Sequence, residues 1–147
     1  MKIRATLLLL ATTVAGALFA TGAPASANVE AKAIRTYWVT LRTGDLDRAG
    51  TDARVHVTVI GDAANSPRTR LTSDANNFER GRTETFGPFK WISIGRPTSI
   101  ILSKTNSGSE WFPEYVHIFS EADGEVYECP INTWYGDGNE TRTFSCS

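Results

Sequence analysis

The stretch Arg54-Val55-His56-Val57-Thr58-Val59 alternates polar residues with valines. A second stretch, Tyr37-Trp38-Val39-Thr40-Leu41-Arg42, has the same period of two. Successive side chains of a β-strand point to opposite faces, whereas an amphipathic helix repeats every 3.6 residues. Each stretch is therefore predicted to be a strand with one face on a hydrophobic core.

Six further β-rich runs follow, and turn-forming sequences rich in Gly, Asp, Asn and Pro separate the runs. No segment after residue 27 carries a sustained helical stripe. About eight short strands separated by turns predict an all-β fold, an antiparallel β-sandwich. The six runs are Arg68 to Leu71, Thr83 to Phe86, Thr98 to Ser103, Glu114 to Phe119, Gly124 to Cys129 and Glu140 to Cys146.

The first 27 residues have the composition of a secretory signal peptide. Lys2 and Arg4 give a basic start, Leu7 to Ala20 is apolar, and Ala25-Ser26-Ala27 has the small-x-small pattern of a cleavage site. We therefore expect a secreted protein that is cleaved near Ala27.

Residues 28–36 are predicted to be an N-terminal lead, and residues 37–147 a single β-sandwich domain, because this length supports one core. Of 15 basic and 16 acidic side chains, Lys2 and Arg4 leave with the leader, so the remaining net charge is −3. This balance gives no electrostatic footprint for nucleic acid. The apolar part of the leader is too short to span a bilayer and no second such stretch follows, so no transmembrane segment is expected.

Cys129 and Cys146 are the only cysteines. In an exported protein an even pair more often forms a disulfide than a metal site or a nucleophile. A bond between them would enclose 16 residues. The loop-closure entropy removed from the unfolded chain would stabilise the folded domain by about 3 kcal/mol. We predict this disulfide and expect it to hold the C-terminal strand in place.

Familiar catalytic motifs are absent from the sequence, which has no G-x-S-x-G, no H-E-x-x-H and no glycine-rich phosphate loop. His56 and His117 both lie within strand runs, and His56 shares the polar face with Arg54 and Thr58. A solvent-facing histidine is the simpler interpretation, since a general base also needs a nucleophile and an orienting group. A glycosidase with paired carboxylates stays open, because sixteen acids always offer pairs.

The loop from Asp45 to Asp52 holds three carboxylates beside Gly50. Ca²⁺ accepts six to eight oxygen ligands in flexible geometry, so acids on a glycine-containing turn suit it. Asp and Gly are also simply good turn residues, and the loop lacks the regular Asp spacing of an EF-hand. Both interpretations stay open from this loop alone.

Six short motifs follow one another through nearly all of the chain after the lead. They are Tyr37-x-Val39-x-Leu41-x-Thr43-Gly44, Ala49-Gly50-Thr51-Asp52-Ala53, Phe78-Glu79-Arg80-Gly81, Ile94-Gly95, the strand Ile100 to Leu102, and Trp111-Phe112-x-x-Tyr115-Val116-x-Ile118. In this order they resemble the PLAT domain, a β-sandwich module shared by polycystins, lipoxygenases, bacterial alpha-toxin and some lipases. The resemblance implies two four-stranded sheets and no active site of the domain's own.

The resemblance also implies a Ca²⁺ cofactor, held where loops from different strands converge at one end. Gly50 and Thr51 would supply backbone oxygens. Lipoxygenase-type members carry acids where Asn77 and Ser109 stand, so weaker binding is expected here. Asp45 and Asp47 are additional acids that the resemblance does not place. The metal ligands carried over are Gly50, Thr51, Asp52, Asn76, Asn77, Glu79, Ser109 and Glu110.

Lipoxygenase-type PLAT loops expose tryptophans that insert among lipids, and here Leu46 is the only candidate wedge in the corresponding loops. Trp111 matches a core position of the family, and large aromatics usually anchor sandwich interiors. Trp38 and Trp91 are open between exposure and burial under the lead and the long loops. Trp134 is similar to a tryptophan near the family's C-terminus, but at a different spacing.

Arg68 and Arg70 point the same way on one predicted strand, and Arg80 and Arg82 follow in the next ordered segment. Together they are a candidate cationic patch for an anionic lipid or polysaccharide. For Arg80, a structural ion pair is the alternative.

Two functions stay open. The first is a secreted, non-catalytic, Ca²⁺-binding PLAT module, expected to be a monomer, that docks to lipid, a membrane surface, or a secreted or cell-surface protein. The second is a small secreted hydrolase or carbohydrate-binding β-sandwich that shares only the fold. The second needs a catalytic pocket or a row of exposed aromatics, for which Trp38 and Trp91 are the candidates.

Overall fold

The computed structural model describes residues 33–105 and 109–147, so the predicted signal peptide lies outside the described residues. Within these ranges, no helix is long and apolar enough to cross a membrane. The described residues form eight strands: β1 Ile34–Thr43, β2 Arg54–Gly61, β3 Thr69–Leu71, β4 Thr83–Ile92, β5 Pro97–Thr105, β6 Pro113–Ser120, β7 Glu125–Pro130 and β8 Glu140–Ser145.

The strands form two four-stranded sheets, which confirms the predicted β-sandwich. The first sheet has the order β4-β1-β6-β7, and the second has the order β3-β2-β5-β8. Every neighbouring pair within each sheet is antiparallel. The inner faces of the two sheets supply one continuous hydrophobic core.

The period of two in the sequence separates the core from the outer faces. Val55, Val57 and Val59 are fully buried, while the residues between them are only partly covered. Trp111 is also fully buried, as predicted, and its Nε1 donates a hydrogen bond to Thr43 Oγ1 at 3.2 Å. The core thus satisfies the one polar atom of its largest side chain.

Strand β4 ends at Ile92, beyond the Phe86 limit of the predicted run. Gly87-Pro88 has the composition of a turn, but the strand continues through it because the register against β1 shifts there. The two residues lie opposite Trp38 as a β-bulge, which tolerates a proline without a ladder donor. Opposite Ile92, at the same end of the ladder, β1 begins at Ile34, inside the segment predicted as a lead.

Trp91 lies on the buried side of this extended strand. Its ring stacks on Tyr37 and Phe89, with centroids 5.2 and 5.3 Å apart. The open question about Trp91 is therefore resolved as burial. Of the two candidates for a row of exposed aromatics, only Trp38 lies on the outer face of the first sheet, and it is partly covered.

The predicted disulfide between Cys129 and Cys146 is confirmed. Cys129 lies in β7, at the edge of the first sheet, and Cys146 directly follows β8, at the edge of the second. Glu128 and Ser147 exchange two backbone hydrogen bonds beside it, at 3.0 and 2.8 Å. The bond therefore fastens the two sheets together along one edge and holds the C-terminal strand.

Antiparallel connections bring four loops to one end of the sandwich, named here the loop end. They connect β1 to β2, β3 to β4, β5 to β6, and β7 to β8. Strand β1 begins, and strand β8 ends, at the opposite end. The loop end is thus built from segments that lie far apart in sequence.

Candidate functional site

All eight predicted metal ligands lie at the loop end. Because each loop supplies only two or three of them, any shared site there depends on how closely the loops pack. The β1–β2 loop carries Gly50, Thr51 and Asp52, the β3–β4 loop carries Asn76, Asn77 and Glu79, and the β5–β6 loop carries Ser109 and Glu110.

Gly50 lets the first two loops approach closely. A Cβ atom at this position would lie 3.1 Å from both Arg80 N and Phe78 O. The next residue, Thr51, donates its backbone N–H to Phe78 O at 3.1 Å. A side chain at position 50 would push these segments apart, so glycine is needed here for packing.

Thr51 also connects the first loop to the third. Its Oγ1 lies 2.8 Å from Ser109 Oγ, and it accepts a hydrogen bond from Ala53 N at 3.2 Å. Phe112 N donates to Ala49 O at 3.0 Å. Hydrogen bonds within the protein therefore connect the three ligand-bearing loops without any bound ligand.

Two neighbouring open cavities lie among these loops. Arg48, Gly50 and Ser109 line both of them. The first cavity, of about 330 Å³, is lined by five predicted ligands together with two arginines: Gly50, Thr51, Asp52, Glu79, Ser109, Arg48 and Arg80. The second cavity, of about 510 Å³, is also lined by Glu110 and by Asp137 of the β7–β8 loop.

Asn76 and Asn77 line a separate groove, which they share with Thr51 and Asp52. The amide of Asn77 lies 2.6 Å from Ser73 Oγ. With its nitrogen directed at Ser73, the amide oxygen accepts from Ser73 N at 3.0 Å. Asn77 thus shapes its own loop, and the structure does not bring it onto the cavity of Asp52 and Glu79.

Basic side chains lie among the acids at the loop end, and of these only the ion pair of Arg80 was predicted from the sequence. Arg80 Nε donates to Asp45 Oδ1 at 2.8 Å, so its predicted ion pair is confirmed. Lys104 is fully buried, and its Nζ donates to the carbonyl oxygen of Ser109 at 2.6 Å. Burial lowers the pKa of Lys104, and the charges of Asp137 and Glu140 act in the opposite direction.

The donors around the first cavity suit Ca²⁺ in kind, because carboxylate, hydroxyl and carbonyl oxygens are the ligands this hard cation takes. Within residues 33–105 and 109–147, however, no three His, Cys, Asp or Glu side chains lie close enough together to hold a metal. A complete shell would require Asp52, Glu79 and Glu110 to move closer together. The donor atoms are therefore of the right kind for Ca²⁺, but they are not arranged as a preformed site.

Two large apolar side chains are exposed at the loop end. Leu46, the predicted wedge, is 43% exposed, and Trp134 of the β7–β8 loop is 38% exposed. The Trp134 ring packs on Phe112 with centroids 5.1 Å apart. The structure thus adds Trp134 to a surface where the sequence predicted Leu46 alone.

A sandwich that gathers oxygen ligands and exposed apolar side chains on the loops of one end defines a class of binding module. The PLAT/LH2 domain family matches residues 37–145, and the chain belongs to this family. PLAT domains are non-catalytic modules that bind membranes, lipids or proteins.

Two curated relatives support the assignment. Lipoxygenase homology domain-containing protein 1 of Homo sapiens is 30% identical over 120 residues, and that of Mus musculus is 30% identical over 117. Each alignment covers 76% of this chain and 6% of the relative. The chain thus spans a small part of the length of either relative.

Solved structures show the same fold. Coral 8R-lipoxygenase, described as calcium-activated through a C2-like domain, is 26% identical with a TM-score of 0.67, covering 76% of this chain and 17% of its own. A calcium-dependent 11R-lipoxygenase is 30% identical with a TM-score of 0.59, covering 76% and 17%. Alpha toxin from Clostridium absonum, at 20% identity and a TM-score of 0.57, covers 76% and 31% and shares the fold.

Proposed function

We propose that this chain is a secreted, non-catalytic docking module that binds Ca²⁺ weakly at its loop end and there meets a membrane surface or a secreted protein. The observation that carries the proposal is one cavity shared by Asp52, Glu79, Thr51 and Ser109. Three separate loops supply these oxygen donors, so an ion bound among them would fix the loops relative to one another.

The same geometry predicts low affinity. Only two carboxylates line the first cavity, and the third, Glu110, lines its neighbour. Two arginines and the buried Lys104 ammonium oppose an added cation. Affinity for Ca²⁺ decreases when a site has fewer charged ligands and when it is less rigid. We therefore expect a Kd of about 10⁻⁴ to 10⁻³ M, as in extracellular modules.

Calcium dependence in related proteins supports the same proposal. Both lipoxygenases described above are named for calcium activation or calcium dependence. Extracellular fluid holds millimolar Ca²⁺, so a weak site would be partly occupied there. Export itself is proposed from the composition of residues 1–27, and a mature N-terminus at Asn28 in protein recovered from the medium would support it.

Thermal unfolding in EDTA and in about 1 mM Ca²⁺ tests the proposal. With a Kd near 10⁻⁴ M, binding adds about 1.4 kcal/mol to the free energy of unfolding. For a domain of this size that raises Tm by roughly three to six degrees. Asp52→Asn should remove most of the increase.

Asp47→Asn is the matched control, because Asp47 is exposed on the same loop and lines neither cavity. It should keep the full increase in Tm. Identical melting of the wild-type domain in EDTA and in Ca²⁺ would contradict the calcium proposal and leave a calcium-independent docking module.

A further inference from the structure

A cluster of four basic side chains lies on the outer face of the second sheet: Arg54, His56, Arg68 and Arg70, named here the arginine patch. In the ladder between β2 and β3, His56 lies directly opposite Arg70. Arg68 directly precedes β3, and its charge acts on His56 together with those of Arg54 and Arg70. Arg54 is two residues from His56 on β2, so the alternation of side chains puts Arg54 on the same face and diagonally opposite Arg70. Diagonal neighbours of this kind are about 7 to 8 Å apart, within reach of long side chains.

The patch has no internal counter-charge. The ion pairs among the described residues engage Arg42, Arg80, His117 and Arg142, and none involves a patch residue. On the neighbouring strand β5, the residue opposite His56 is Ser103, whose hydroxyl is hydrogen-bonded to Thr141 Oγ1 at 3.1 Å. Three guanidinium groups thus lie near one another without a salt bridge, and the one acid that lines the adjoining groove is Asp52.

The ring of His56 lies within the electrostatic influence of the three arginines. Its Nδ1 atom is buried and has no hydrogen-bond partner within the described part of the chain. Burial lowers the pKa of His56, and the charges of Arg68, Arg70 and Arg54 lower it further. The three arginine charges therefore act against a fourth positive charge on the His56 ring.

One end of the patch opens into the groove of about 310 Å³ described above, which Arg54 and Arg70 line together with Asn76 and Asn77. Guanidinium groups present planar, paired N–H donors that match the oxygens of phosphate, and amide groups add further donors. We propose that the arginine patch and its groove bind a tetrahedral oxyanion, the phosphomonoester group of a small molecule or of a lipid headgroup.

Asp52 is the one acid lining this groove, and it also lines the first calcium cavity. It opposes an oxyanion in the groove and attracts a cation in the cavity. Asp52→Asn should therefore tighten oxyanion binding, by about threefold, while it weakens calcium binding. The opposite signs make the two sites separable in one variant.

The test is a titration of the full domain with inorganic phosphate in EDTA, at constant ionic strength, with the His56 ring signals followed by NMR. We expect saturable shifts at millimolar phosphate and a higher pKa for His56 in the bound form, because the anion offsets the arginine charges. Arg70→Gln should weaken binding at least tenfold. Arg35→Gln, an exposed arginine on β1 of the other sheet, should bind like the wild type.

Vesicles of phosphatidylcholine with and without phosphatidic acid separate the two sources of phosphate. Sedimentation that depends on phosphatidic acid and is lost in Arg70→Gln identifies a lipid headgroup, whereas phosphate binding without vesicle binding identifies a soluble phosphomonoester. Either result supports the site. The absence of saturable His56 shifts, or equal shifts in a folded Arg70→Gln variant, would overturn it, and because no calcium is present, neither result depends on the calcium site.

Discussion

Lys104 Nζ donates a hydrogen bond of 2.6 Å to the backbone carbonyl oxygen of Ser109, a residue of both loop-end cavities. Lys104 is fully buried, and its partner across the ladder is Glu140. A protein ammonium group therefore already supplies positive charge beside the loops that would hold a calcium ion. It holds the Ser109 segment in place without a metal, and it repels one.

We expect Lys104→Met to bind Ca²⁺ at least about tenfold more tightly, because the variant lacks a buried positive charge that repels the ion, and a tenfold change in affinity corresponds to only about 1.4 kcal/mol. Methionine keeps the apolar volume of the buried stem. Calorimetric titration with Ca²⁺ measures the effect. The control is Lys90→Met, since Lys90 is exposed and lies near the other end of the sandwich. Unchanged affinity in Lys104→Met would mean that the ammonium does not limit metal binding.

The disulfide should account for a large part of the stability of the domain. Reduction frees the edge strands β7 and β8, and the closed loop is worth about 3 kcal/mol. Urea unfolding with and without reductant measures the loss. A double Cys129→Ala, Cys146→Ala variant should show the lower stability under both conditions, and equal midpoints for oxidised and reduced wild type would contradict the expectation.

Membrane binding should be weak and electrostatic. Trp134 is packed on Phe112, and Leu46 is the other large apolar side chain exposed on the described loops, so little surface is free to insert. Sedimentation with anionic vesicles should be low and should fall as salt rises. Trp134→Ala should change it less than about twofold. Salt-resistant binding to neutral vesicles that Trp134→Ala removes would instead establish insertion.

Alkaline pH should destabilise the domain through Tyr135. Its hydroxyl is buried and donates to Leu102 O at 2.8 Å, and burial raises the pKa of Tyr135 far above its ordinary value of 10. A raised pKa in the folded state gives stability that is complete below pH 10 and is lost as pH rises further, because only the unfolded chain ionises there.

Comparison with Tyr135→Phe isolates this effect, since the two proteins share every other titrating group. The variant should be less stable at pH 7 by about 1 kcal/mol, from the lost hydrogen bond. Above pH 10 its free energy of unfolding should fall less steeply than that of the wild type. Parallel curves from pH 9 to 11 would show that Tyr135 does not titrate with unfolding.

The strands were predictable from the sequence because each has one buried face. Alternation located β1 and β2, and β-rich runs between turn sequences located the other six strands. The error at Gly87-Pro88 arose because a bulge and a turn share the same residues. A buried lysine was also within reach, since Lys104 continues the inward series of Ile100 and Leu102. The predicted run ended one residue too early to include it.

The loop end was less predictable, because contacts between loops depend on packing between distant segments. The family resemblance brought Asp52 and Glu79 together, but it gave no sign that Arg48 and Asp137 line the same cavities. The arginine patch needed the register of β2 against β3 before Arg54 could be placed beside Arg70. Register depends on the turn that joins two strands as well as on the hydrophobic pattern of each, so the sequence of one strand alone does not fix it.

The placement of the strand ends has a practical consequence for how the domain is attached to anything else. Strand β1 begins and strand β8 ends at the pole opposite the four loops. A purification tag, a biosensor surface or a fused enzyme joined directly before Ala33 or after Ser147 would therefore hold the domain at the end opposite the loops and leave the loops facing outward. Immobilised in this way, the domain could be probed with vesicles or candidate proteins without the linkage masking the loops.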